Sequence, residues 1–197
     1  MPLGAFKAAL MGTAGVSAGA SVVLLHDTDY SNAASASITS GIDSTYGEYI
    51  FKFYNINPAT DLANFTFQVN ATDSTSYNET MTTTFFYSYH YESDGTAAMG
   101  YVASMDQSQG TAYQLIATKT GNGADESCAG ELHLFNPSST TYAKNFYARV
   151  NNYHGEDNAS LDQYIAGYIN TTTAIDDIQF KMSSGNFDGT IKMWGGK

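Results

Sequence analysis

A chain of 197 residues with 15 Tyr, 11 Phe, a single cysteine and a formal net charge of −11 has the length of one domain; folding at that size buries about 70% of the surface the unfolded chain exposes. The charge comes from 19 acidic residues against 8 Lys and Arg with no basic cluster, which argues against nucleic acid as a partner, because phosphates are contacted mainly by Lys and Arg. Cys128 stands alone, so the chain forms no internal disulfide and no cysteine-based zinc site.

The first 21 residues are rich in Gly and Ala, and their apolar side chains are too interrupted for a membrane span, which needs roughly 20 mostly apolar residues. Two readings stand here. Lys7 ahead of an apolar patch, with Ser17-Ala18-Gly19-Ala20 after it, has the outline of a signal peptide, but Gly4, Gly12 and Gly15 break its apolar centre. The preferred reading is a docking arm, residues 1–21, anchored on a partner subunit by Phe6, Leu10 and Met11. Residues 22–197 then form a single β-sandwich domain.

Val22 to Leu25 predicts a short first strand, followed by a polar loop. Within that loop Asp27, Asp29 and Ser31 occupy the first, third and fifth positions of an EF-hand-like calcium loop, but Asn32 replaces the glycine expected sixth and Ile38 the bidentate Glu. An Asx-rich turn is the preferred reading, with Ca²⁺ at these three residues as the one cofactor to test. Tyr46–Ile56 reads as a central strand covered on both sides. Asn64–Asn70 reads as a half-buried one, with Phe65, Phe67 and Val69 facing inward. Along 81–91, Phe85, Tyr87, Tyr89 and Tyr91 share one face. That row is either ordinary strand packing, the preferred reading, or a stacking platform for sugar rings in which Trp194 joins the three tyrosines.

Further strands are expected over 113–118 and 131–135 and around Phe146, Ala148 and Val150. At the end of the chain, Ile178, Phe180 and Met182 alternate with polar residues, as do Ile191 and Met193. The intervening Ser183–Gly189 carries Gly185, Asn186 and Gly189, residues that suit a reversing chain, so the two runs read as an antiparallel hairpin. Roughly eight to ten short strands without strand–helix alternation give an all-β fold, a jelly-roll-like β-sandwich with an extended N-terminal arm.

No catalytic motif emerges. His26, His90, His133 and His154 lack the spacing of a metal face, and the acidic neighbours of Cys128, Asp125 and Glu126, make it a poor nucleophile. The acid pairs Asp176–Asp177 and Glu156–Asp157 are adjacent residues, which on a strand point to opposite faces, so neither is a ready catalytic dyad. The expectation is a protein without enzymatic activity.

Three passages carry a family resemblance: GAFKAALMGTAG near the start, GNGADESCAGELHLFNPSSTTYAK in the middle and AIDDIQFKMSSGNFDGTIKMWG at the end. Together they resemble a family of tailed-bacteriophage virion proteins abundant in marine phages. In that family the last segment has the form inFxxSSGNixSGTIxLYG; this chain keeps the SSGN turn at Ser183–Asn186 and departs at Asp188-Gly189 and Met193-Trp194. The resemblance implies a β-rich component of the particle exterior, a head decoration, head fibre or tail appendage, that assembles with copies of itself and with other virion proteins. A carbohydrate-binding module for a host-surface glycan is the alternative. Neither reading involves nucleic acid or membrane insertion.

Overall fold

The structure is a computed structural model that describes residues 22–197. The arm and its anchors Phe6, Leu10 and Met11 lie outside the described residues.

Thirteen strands are present among those residues: β1 (Val23–Ala33), β2 (Ala36–Ile38), β3 (Glu48–Pro58), β4 (Ala63–Ala71), β5 (Met81–Tyr91), β6 (Ala97–Tyr101), β7 (Ser108–Gly110), β8 (Gln114–Thr120), β9 (Cys128–Phe135), β10 (Lys144–His154), β11 (Ala159–Ile169), β12 (Ile175–Met182) and β13 (Phe187–Gly196). They hydrogen-bond into one continuous antiparallel sheet that folds over into two layers and nearly closes as a flattened barrel. The large layer runs β1-β13-β3-β9-β10-β11-β5, with β6 and β7 on the outer edge of β5; the small layer runs β8-β4-β12-β2. One corner joins the layers where β10 meets β8 at the pair His154 and Thr120. The other is the short link from β1 to β2. The fold is therefore the all-β, jelly-roll-like sandwich expected from the strand patterns.

Alternation along the strands explains the closure. On β10, Phe146, Ala148 and Val150 point inward while Tyr147, Arg149 and Asn151 point out. The core is a lattice of phenylalanines contributed by both layers: Phe180 on β12 lies 5.1 Å from Phe53 and 5.6 Å from Phe51 on β3, and Phe67 on β4 lies 5.0 Å from Phe146 on β10. Such edge and tilted pairings contribute about 0.5–1.5 kcal/mol each beyond the area they bury.

Two sequence expectations are corrected. The last two strands do not form a hairpin: β12 pairs with β4 and β2, and β13 with β1 and β3. Ser183–Asn186 is an arch that carries the chain from the small layer to the large one. A period of two says which face of a strand is buried but not which strand lies beside it. The arch spends its polar groups on the turn between β3 and β4: the Ala59 amide donates to the Asn186 carbonyl at 2.8 Å, the Ser183 amide to the Asn64 carbonyl at 2.8 Å, and the Asn64 amide to Ser183 Oγ at 3.0 Å.

The second correction concerns the polar stretch after Leu25. It is not a loop, because β1 continues to Ala33 along the edge beside β13. Asp27, Asp29 and Ser31 sit on a strand with their exposed side chains alternating along it, not around a calcium loop. Asp27 pairs with Lys192 at 2.9 Å, and Asp29 accepts a hydrogen bond from Thr190 Oγ1 at 2.6 Å. An edge strand needs only backbone pairing and one inward face, here supplied by Thr28 and Tyr30, so a polar sequence suffices.

Candidate functional site

The tyrosine row of β5 does line a cavity. Tyr87, Tyr89 and Tyr91 lie on the inner face of β5 beyond the end of the phenylalanine core, where the two layers diverge. They form one wall of a cleft of about 250 Å³, with Thr118, Lys119, His154, Glu156, Asp157 and Leu161 among the other lining residues. Neighbouring rings meet edge-on or tilted, with centroids 5.7 and 5.5 Å apart.

Local structure explains the assembly. β5 pairs with β11 without a break from Met81 opposite Ile169 to Tyr91 opposite Ala159, which sets the row beside the start of β11. β10 and β11 form a hairpin whose turn carries Glu156 and Asp157, with Asn158 at φ 47° closing it. The Glu92 amide donates to the Asn158 carbonyl at 3.0 Å and pins this turn next to Tyr91. β8 crosses the opening. Its Lys119 carbonyl receives the Gly155 amide at 3.0 Å, and the positive φ of Lys119 (47°) turns the chain there toward the turn.

Beneath the cleft lies a fully paired buried network. Gln163 Oε1 accepts from the Thr118 amide at 2.7 Å, its Nε2 donates to Asn152 Oδ1 at 2.9 Å, and Asn152 Nδ2 donates to the Thr118 carbonyl at 2.8 Å. Satisfied networks of this kind hold a floor in one geometry.

The rim is ionic. His154 Nδ1 lies 3.3 Å from Asp157 Oδ2, and Lys119 pairs with Glu156. Burial, the largest influence, holds the His154 imidazole below its ordinary pKa against the opposing pull of Asp157. The Tyr91 hydroxyl is shifted upward, by desolvation first and then by Asp157. Ligating atoms of His154, Glu156 and Asp157 come within 4.8 Å of one another. The Lys119 ammonium already neutralises Glu156, so these groups fit the recognition of hydroxyl groups by a charged rim better than the holding of a metal ion. The cleft thus offers an aromatic wall and paired charges able to donate and accept hydrogen bonds.

The predicted stacking residues are brought together only in part. Trp194 lies elsewhere, on the outer face of the large layer, with Lys52 Nζ 5.6 Å from its ring. Alternation alone misses the rim: His154 ends β10 and Glu156 and Asp157 follow in the turn to β11, all within four residues, and that spacing is the signal that could have found them. Glu156 and Asp157 sit in the turn, so the alternation argument applied to this pair does not hold. Cys128 opens β9 and is buried; burial pushes its thiol up to about 12, and the acidic neighbours are not the cause.

The outer face of the large layer is the other feature of note. A row of cross-strand neighbours runs over it: Asp27 with Lys192, Lys52 with Glu131 at 3.7 Å, Arg149 with Asp162 at 2.8 Å. Tyr164 follows, stacked on Phe86 at 4.9 Å, and Phe86 is the register partner of Tyr101 on β6. Around this row Tyr54, Met99, Tyr101 and Tyr147 remain exposed. Compared with protein-family models, with curated proteins and with solved structures, the chain finds no match.

Proposed function

We propose that this chain is a structural component of the exterior of a bacteriophage particle, a head decoration, head fibre or tail appendage, that assembles with copies of itself and other virion proteins through its sandwich and its N-terminal 21 residues. The observation that carries this reading is the outer face of the large layer. Phe86, Met99, Tyr101, Tyr147 and Tyr168 are each 36–74% exposed on this one face, and large apolar side chains left open together on a face favour protein contact. Two of the three passages that resemble phage virion proteins support it in a second way: in this fold they are β9 with its flanking turns and the run from β12 through the arch into β13, parts of the framework, while the passage near the start lies outside the described residues. The test is quantitative mass spectrometry of purified particles. Many copies per particle, retained through density-gradient purification, agree with the proposal; the protein found only in the lysate contradicts it.

A second reading, saccharide binding, is favoured specifically by the cleft of Tyr87, Tyr89 and Tyr91. Glycan-array binding that Tyr89→Ala abolishes without changing the melting temperature supports it. A folded protein that binds no array glycan, with or without Ca²⁺, refutes it and leaves the assembly role intact.

A further inference from the structure

The small layer carries a second cluster, at the start of β12. Ile175 pairs with Ala71 and Asp177 with Asn70, so Asp176 is an extra residue, a β-bulge. A bulge breaks strict alternation and sets two residues against one. Ile175, Ile178, Phe180 and Met182 are buried, while Asp176 and Asp177 are both half-exposed. The rule that adjacent carboxylates on a strand diverge therefore fails here: both face away from the core, opposite Asn70.

Asn70 is only 6% exposed. Its Nδ2 donates to the Ser74 carbonyl at 3.0 Å and to Asp177 Oδ2 at 3.3 Å, while its Oδ1 is buried without a donor. Asp176 Oδ1 is likewise buried without a donor. Two orphaned groups at one corner are unusual, and both are oxygen acceptors, so what satisfies them must be positive or a donor. Among the described residues no Lys, Arg or His pairs with Asp176 or Asp177. The set is all oxygen, two carboxylates and one neutral amide on an irregular stretch of backbone, which suits the flexible shell of Ca²⁺ better than the strict octahedron of Mg²⁺.

We propose that Asp176, Asp177 and the Oδ1 of Asn70 bind a hard divalent cation, Ca²⁺, at the β12 bulge, with water completing its shell. This site is separate from Asp27, Asp29 and Ser31, and it does not depend on either functional reading. The ion would tie the Thr72–Thr80 connection, which already reaches β4 through Ser74 and Asn70, to β12.

The test uses the full chain. Thermal melting is followed with Ca²⁺, and Tb³⁺ emission excited through tyrosine is followed as Ca²⁺ competes; Tyr77, whose hydroxyl is influenced by both Asp177 and Asp176, is the expected sensitiser. At ten times the dissociation constant the melting temperature should rise by about 3–6 °C. Asp176→Asn should remove that rise and cut Ca²⁺-competable Tb³⁺ emission at least about tenfold, while itself melting no lower than the parent in chelator. Asp157→Asn, at the other cluster, should leave both signals unchanged. An unchanged melting temperature up to about 10 mM Ca²⁺ overturns the proposal and means that water or a proton satisfies the two oxygens. A shift that survives Asp176→Asn, or is lost with Asp157→Asn, overturns it as well.

Discussion

Replacing Gly189 by Ala tests the irregular start of β13, where the register against β3 shifts between Asp188 and Thr190. Gly189 has φ +141°, in a region that essentially only glycine enters, at a cost for other residues of about 1–3 kcal/mol. An added Cβ would also lie 2.7 Å from Ile56 Cδ1 and 2.9 Å from both the Asn55 carbonyl oxygen and Ile56 Cα. Two of these three atoms are backbone in the paired strand β3, so relief requires moving β3 or β13, adding about 1–3 kcal/mol. The sum, about 2–6 kcal/mol, is a large share of the 5–15 kcal/mol typical of a folded domain. For a chain of this size it lowers the melting temperature by about 4–24 °C. Gly100 supplies the control, since a Cβ there meets nothing within 4 Å. Circular dichroism melts and urea titrations of Gly189→Ala and Gly100→Ala, side by side, give the answer. If the two variants melt within about 1 °C of each other, the close approach of β13 to β3 at Gly189 is not the constraint described.

Cys128, buried with its thiol pushed up to about 12, should react with a thiol reagent such as DTNB only on unfolding; stoichiometric labelling of the native protein within minutes would contradict its burial. Lys144 is 1% exposed and donates from Nζ to the carbonyls of Thr171 and Thr173 at 3.0 and 2.6 Å. Lys144→Met keeps the stem but leaves both carbonyls without that donor, an expected loss of about 2–4 kcal/mol in urea titration. Burial depresses the folded-state pKa of His154, beside Asp157, Glu156 and Lys119. The unfolded chain therefore binds the proton first, and stability should fall as the pH drops below about 6.5. His154→Gln should flatten that fall, with the similarly depressed His26 supplying the remainder; an unchanged slope refutes the assignment.

Strands with strong alternation were legible in the sequence. Met81–Tyr91 is a strand with the expected bounds, and the inward faces of Phe65, Phe67, Ile178 and Phe180 are as read. Pairing was not legible, because alternation carries no information about partners: the SSGN segment looks like a hairpin turn until its backbone groups are found on the β3–β4 turn. The polar half of β1 was hidden because an edge strand needs little apolar surface. At the cleft, the tyrosines share a face by period alone, whereas Lys119 reaches it on the crossing strand β8, which local patterns do not encode, and the His154–Asp157 group reaches it through the β10–β11 hairpin. Trp194 was grouped with the tyrosines by residue type, and residue type does not place a side chain. Asp176 and Asp177 were separated by the alternation rule, and a single inserted residue defeats that rule.

The place proposed for this chain is the outside of a phage particle. Immunogold electron microscopy of intact particles, using antibody raised against residues 22–197, tests it most directly. Regularly spaced label on the head or tail surface of unopened particles is expected; label confined to disrupted particles, or none on particles at all, would contradict that place.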